Sequence, residues 1–332
     1  MSRQYDLGER RIIEILVGLQ EKMRGNPLPF GDDASAVRLG RGKLAVLKCD
    51  MLVGLTDIPH GMSLWQASRK AIVSSVSDLA AKGVQPKAIL VSLGLPRRVT
   101  EDRIREIGSG LNSGAREYGA FVLGGDTNES TDLTIDIFAF GVCLEKELVR
   151  RDTARVGDIV AVTGKFGLTG LGLRIVKENL PAPEKLRGEA THAVYMPKAR
   201  LVEGVALAKG RLINSSIDSS DGLAWSLHEL AKSSGVGFEI DNSPIHSGVK
   251  DFALKSGLDP VDLAFYGGEE YELVVTMRPS NYDRARRKVS DLTAIGRVTS
   301  DRGIILKSGG VVREIVPKGY EHFRESLNYE TS

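Results

Sequence analysis

Several aspartates of this chain stand at the ends of apolar runs or in glycine-rich turns. Asp32 and Asp33 lie in FGDDAS (30–35), and Asp50 closes KLAVLKCD (43–50). Asp126 follows Gly124 and Gly125 in AFVLGGD (120–126), and Asp218 and Asp221 lie in IDSSDGL (217–223). In α/β proteins, ligands gather at the carboxyl ends of strands. Carboxylates clustered there repel one another unless cations neutralise them. An oxygen-only donor set, with no Cys or His cluster, favours Mg²⁺ or a similarly hard ion over zinc. Each motif also has a plainer use. An Asp beside glycine often shapes a turn, and Asp221 could cap its helix. Four such motifs in one chain favour a shared site.

Asp78 belongs to a different pattern. In the predicted helix 63–82, Ala71, Ser74, Ser75 and Asp78 fall on one small, polar stripe. A phosphate or hydrated metal could approach it closely, or it could face solvent. The turn TGKFGLTGLG (163–172) carries glycines at a strand-to-helix junction, where backbone N–H groups could meet an anion or a helix could pack closely on a strand. It is not a Walker A loop. The five histidines show neither HExxH nor a GxSxG elbow, so no nucleophile constellation stands out.

Periodicity supplies the elements that must position these groups. It predicts helices over 5–24, 63–82, 100–118, 168–179, 198–209 and 221–234. Strands are expected over 43–50, 87–96, 120–126, 133–145, 157–164, 215–218, 237–241, 271–276 and 293–298. The stretch 180–196, with Pro181 and Pro183, reads as a loop. The fold class is therefore α/β (α+β), with mixed sheets flanked by helices. The 332 residues divide into domains of 1–147 and 148–332. Lys and Arg (45) nearly balance Asp and Glu (43), which argues against a dedicated nucleic-acid binder. No apolar run is long enough to span a membrane, and two cysteines without a CxxC fit a reducing cytoplasm.

Taken in order, GDDAS (31–35), CDMLV (49–53), VSDLAAKGVQP (76–86), GGDT (124–127), Arg150-Arg151, IDSSDGL (217–223) and GGEEYEL (267–273) resemble one family. It is the thiamine-monophosphate kinases, within the aminoimidazole ribonucleotide synthetase-like superfamily. The resemblance runs over about nine-tenths of the chain, as far as GYEHF (319–323). It implies transfer of the ATP γ-phosphoryl group to thiamine monophosphate with several Mg²⁺ ions. It also implies a homodimer formed through strands of the N-terminal domain. Metal ligands would be Asp33, Asp50, Asp78, Asp126, Asp218 and Asp221. ATP would meet Gly125, Asp126, Arg151 and Ser220, and the acceptor Asp57, Glu269 and Tyr320. An aromatic ring suits the thiazolium cation. Phosphoryl transfer needs positioning and charge neutralisation, so the missing nucleophile is expected.

Three positions depart from the family pattern. Asp57 stands where a histidine is common, with His60 close by. Cys49 replaces Thr or Ser, and Glu270 replaces Asp in the late motif. Alternatives are a superfamily kinase or synthetase with another phosphorylated acceptor, or a nucleotide-binding regulatory protein without catalysis.

Overall fold

The computed structural model describes residues 8–308 and 310–323. The first sheet holds β1 (Ser35–Gly40), β2 (Lys43–Val53), β3 (Pro86–Pro96), β4 (Phe121–Ser130) and β5 (Thr134–Leu144). Its order is β1-β2-β5-β3-β4, antiparallel except for β3–β4. Strict alternation in β5 buries Ile135, Ile137 and Ala139 on one face and leaves Asp136, Phe138 and Phe140 half-buried on the other.

The helices around this sheet are α1 (Glu9–Gly18), α2 (Gly54–Asp57), α3 (Leu64–Ala81) and α4 (Glu101–Glu117). The cap of α3 is reciprocal. Ser63 Oγ accepts from Gln66 N at 3.1 Å, and Ser63 N donates to Gln66 Oε1 at 2.9 Å. Gly83, at φ +71°, turns the chain out of the helix.

The C-terminal half adds α5 (Leu168–Glu178), α6 (Glu184–Tyr195), α7 (Leu201–Lys209), α8 (Leu223–Ser234), α9 (Ser247–Lys255), α10 (Pro260–Phe265) and α11 (Tyr282–Lys288). Its strands are β6 (Ile159–Val162), β7 (Ser215–Asp218), β8 (Gly237–Ile240), β9 (Leu273–Met277), β10 (Thr293–Thr299), β11 (Ile304–Ser308) and β12 (Val311–Glu314). They pair in the order β12-β11-β8-β10-β6-β9-β7, and only β8–β11 is parallel. One apolar core joins both halves: Ile72, Val76 and Leu79 of α3 belong with Leu207 of α7 and Leu273 and Val275 of β9. Helix α3 is thus packed against both halves, which places its polar stripe where the two meet.

Two expectations are corrected. The stretch 180–196 is not a loop throughout, because α6 fills most of it. Both prolines precede the helix, where they cost no backbone bond. Leu186, Ala190 and Val194 recur every fourth residue and are buried. The N-terminal helix ends at Gly18, not residue 24, and buries none of its residues. Residues 5–7 of that prediction lie outside the described residues. Strand β1 gave no periodic signal because only Ala36 among its six residues is buried. No helix among the described residues is long and apolar enough to cross a membrane.

Candidate active site

A cavity of about 1260 Å³ is lined by Asp33, Asp50, Asp57, Asp78, Arg151, Asp218, Ser220, Asp221, Glu269 and Tyr320. These are ten of the twelve positions picked out in the sequence, and they come from both halves of the chain. Gly125 and Asp126 are not in the lining. They lie on β4, the edge strand of the first sheet, which is exposed over nearly its whole length. Carboxylates outnumber cationic side chains around the cavity.

Local folding explains each placement. Asp218 ends β7, where Ser77 Oγ of α3 donates to its carboxylate at 2.7 Å. Asp78 projects from the polar stripe of α3 and is buried, so the stripe does not face solvent. Ser74 and Ser75 donate to Asp50 Oδ2 at 3.3 and 3.2 Å. The loops around Ser220 and Glu269 are tied by backbone bonds, Glu269 N to Ser220 O at 2.6 Å and Tyr271 N to Ser219 O at 2.9 Å. Glu269 takes φ +65°, a strained backbone for a side chain of its size. Helix α1 docks through Arg10, whose guanidinium lies 3.6 Å from the centre of the Trp225 ring and 4.0 Å from Asp221.

The charges are unevenly compensated. One oxygen each of Asp33, Asp78 and Asp218 lie within 4.8 Å of one another, and all three residues are buried. Burial works to raise the Asp33 carboxyl, but Arg151 and Lys82 outweigh it and hold it below its ordinary value. Asp218 is pushed up to about 7 by burial and by Asp33, against the Ser77 hydrogen bond. Asp78 also stands above its ordinary value, from burial, with Lys48 opposing and Asp218, Asp50 and Asp33 adding like charge. Carboxylates raised by burial and by one another's charge, with oxygen donors only, fit a hard divalent cation.

Residue-level reasoning missed the paired lysines, Lys82 and Lys70 buried and Lys48 half-buried. Lys82, fully buried, bridges Asp32 and Asp33, the latter at 2.8 Å. Lys70 pairs with Glu269 and donates to the Asp57 carbonyl at 3.1 Å. Lys48 sits between Asp50 and Asp78. Two signals were available: Lys48 is two residues from Asp50 on a strand and shares its face, and Lys82 is one helical turn from Asp78.

The departures from the family pattern resolve differently. Asp57 accepts from Val53 N at 2.8 Å and lines the cavity, whereas His60 does not line it. The Cys49 thiol donates to Asp136 at 3.1 Å and is pushed up to about 11 by desolvation and that carboxylate, so it is no thiolate nucleophile. Glu270 is turned away from the cavity and accepts from Gly167 N at 2.5 Å and Thr169 N at 3.3 Å, at the start of α5. The anion at this glycine-rich helix start is therefore the chain's own. The other glycines serve packing: a Cβ on Gly170 would strike Leu263 O, and one on Gly172 would strike Ala190 O.

Burial pushes Glu270 up to about 7, against its hydrogen bonds. A carboxyl raised on folding binds a proton that the unfolded chain releases, so its contribution falls as pH rises from about 4.5 to 7. Glu270→Gln keeps the acceptor and removes the charge. We expect it to gain roughly 1–2 kcal/mol over the parent at pH 8 and nothing at pH 4. Urea unfolding at both pH values measures this, and an equal difference at both would show that Glu270 is not raised.

Residues 31–143 match the family model "AIR synthase related protein, N-terminal domain", and 155–308 match "AIR synthase related protein, C-terminal domain". The chain is 36% identical over 322 residues to the thiamine-monophosphate kinase of Nitrosopumilus maritimus, covering 96% of this chain and 99% of that protein. It is 38% identical over 309 residues to the thiamine-monophosphate kinase of Pyrococcus abyssi, covering 91% and 93%. The fold is similar to that of AaThiL complexed with AMPPCP and TMP, with TM-score 0.84 and 30% identity, over 97% of this chain and 99% of that one.

Proposed function

The chain belongs to the thiamine-monophosphate kinase family of AIR synthase related proteins, and from that premise we propose how its cavity performs the family's reaction. The chain is an ATP-dependent kinase that transfers the γ-phosphoryl group of ATP to thiamine monophosphate, giving thiamine diphosphate and ADP. The observation that carries the mechanism is the meeting of Asp33, Asp78 and Asp218, from three separate elements, within 4.8 Å.

These three, with Asp50 and Asp221 of the same cavity lining, would hold Mg²⁺, which when bound would neutralise phosphoryl charge. Lys82 and Arg151 hold Asp33 ionised and fixed. Arg151 offers a guanidinium suited to a phosphate of ATP, and Ser220 a hydroxyl on the same wall. Lys70 pins Glu269, which with Tyr320 and Asp57 forms the acceptor end. Transfer is direct and in line. A phosphate oxygen of thiamine monophosphate bonds to the γ-phosphorus, and the β–γ bridging oxygen leaves with its electron pair on ADP. No protein nucleophile is required, in keeping with the protonated Cys49.

We assign 1–147 to ATP and metal binding and to dimerisation, and 148–332 to completing the phosphate and acceptor site. The homodimer is supported by the face of the first sheet opposite α3 and α4. Met51 and Leu90 are exposed on it, and Phe121 and Leu123 are exposed on edge strand β4. Such an apolar surface is costly unless covered, and a second copy would cover it. Sedimentation equilibrium tests this, and a monomer at micromolar concentration would remove it.

The reaction is tested with ATP, Mg²⁺ and thiamine monophosphate, following thiamine diphosphate by chromatography. Product that needs both ATP and Mg²⁺ supports the reading. Absence of product from folded, ATP-binding protein overturns it. Tyr320→Ala should raise the acceptor KM roughly threefold to tenfold and leave that of ATP nearly unchanged. Equal effects on both would move Tyr320 away from the acceptor.

A further inference from the structure

Lys48 differs from the buried Lys70 and Lys82 because it is half-buried, with its ammonium among the candidate metal ligands at the cavity wall. Its Nζ lies 2.9 Å from Asp50 Oδ1 and 2.8 Å from Asp78 Oδ2, and its side chain is 20% exposed. The other oxygen of Asp50 already accepts from Ser74 and Ser75. The seam between Asp50 and Asp78 is therefore bridged by a cation the chain supplies itself. The neighbouring group of Asp33, Asp78 and Asp218 contains no lysine or arginine that pairs with Asp218 among the described contacts.

We infer that Lys48 is a resident counter-ion that takes the place of one divalent cation between Asp50 and Asp78. A divalent ion and an ammonium cannot share that seam, since each would need the same two carboxylates and like charges repel at this range. The divalent ion is thereby confined to the Asp218 side. An ammonium has three N–H donors, and two are taken by Asp50 and Asp78. The third is left for a phosphate oxygen in the cavity. Unlike a bound ion, this charge stays in place when free Mg²⁺ falls. The inference rests on reading the cavity as a site of metal-assisted phosphoryl transfer.

The test counts metal ions directly. Free Mn²⁺ is measured by electron paramagnetic resonance in titrations of the full chain without nucleotide, for the parent, Lys48→Arg, Lys48→Ser and Lys48→Gln. Lys48→Ser and Lys48→Gln should each bind one more Mn²⁺ per chain than the parent, because the seam is then open to an ion. Lys48→Arg, which keeps the positive charge, should match the parent. The same count in all four proteins would overturn the inference, as would an extra ion in Lys48→Arg alone. Lys48→Gln is close to lysine in length, so it keeps the test decisive if Lys48→Ser does not fold. Because the readout does not involve thiamine monophosphate, failure of the kinase assay leaves it standing, and its failure leaves the kinase assay untouched.

Discussion

Asp218→Asn is expected to lower kcat about a thousandfold and yet to make the metal-free protein harder to unfold. The two effects share one cause. Asp218 is buried within 4.8 Å of carboxylate oxygens from Asp33 and Asp78, and among the described residues its carboxylate pairs with the Ser77 hydroxyl at 2.7 Å and with no cation. Asparagine keeps an oxygen for Ser77 and removes the like charge. In a chelator the variant should therefore gain roughly 1–2 kcal/mol over the parent. Added Mg²⁺ should reverse the order, because only the parent gains binding free energy in its folded state. Thermal unfolding in chelator and in excess Mg²⁺, with turnover measured beside it, checks all three statements. A variant that is less stable than the parent in chelator would show that these carboxylates do not repel one another.

The second large effect concerns Asp126. Its motif places it at ATP and a metal, yet it sits on exposed edge strand β4, outside the cavity lining. In register it aligns with Ser92 of β3, which aligns with Asp136 of β5 and then Met51 of β2. Three strand spacings therefore separate it from the strand that bears Asp50. In the proposed homodimer, this strand lies where the second copy would meet it, so Asp126 would serve the partner's cavity. Asp126→Asn alone should then abolish turnover, as Asp218→Asn does. Mixing the two inactive chains should restore about a quarter of parental activity, since half the dimers are mixed and each holds one intact site of two. If Asp126 serves its own chain, every site in the mixture is damaged and activity stays absent.

Legibility in the sequence depended on how local each feature is. The late motif GGEEYEL was recognisable, and Glu270 stood out as a departure from it, but nothing in the motif shows that Glu270 caps α5. A cap is set by which helix start happens to pack nearby, and residues 167 and 270 are far apart in the chain. Helix α6 was readable from Leu186, Ala190 and Val194, and the two prolines before it hid the period. The glycines of 163–172 announced a close approach without saying to what. The structure supplies Leu263 O and Ala190 O.

The amino-acid sequence by itself determined the kind of chemistry: aspartates in short turns, no nucleophile, and motifs in the order of one kinase family. Those are properties of adjacent residues, where turn geometry and side-chain type are written together. Tertiary structure alone decided which charges meet. It set Lys48 between Asp50 and Asp78, Lys82 against Asp32 and Asp33, and Lys70 on Glu269, and it left Asp218 without an ion pair among the described residues and Asp126 outside the cavity. The reason is that a buried ion pair is selected by the packing of α3 between the two halves. Local periodicity reports which face of an element is covered, and it carries no record of the distant residue that covers it.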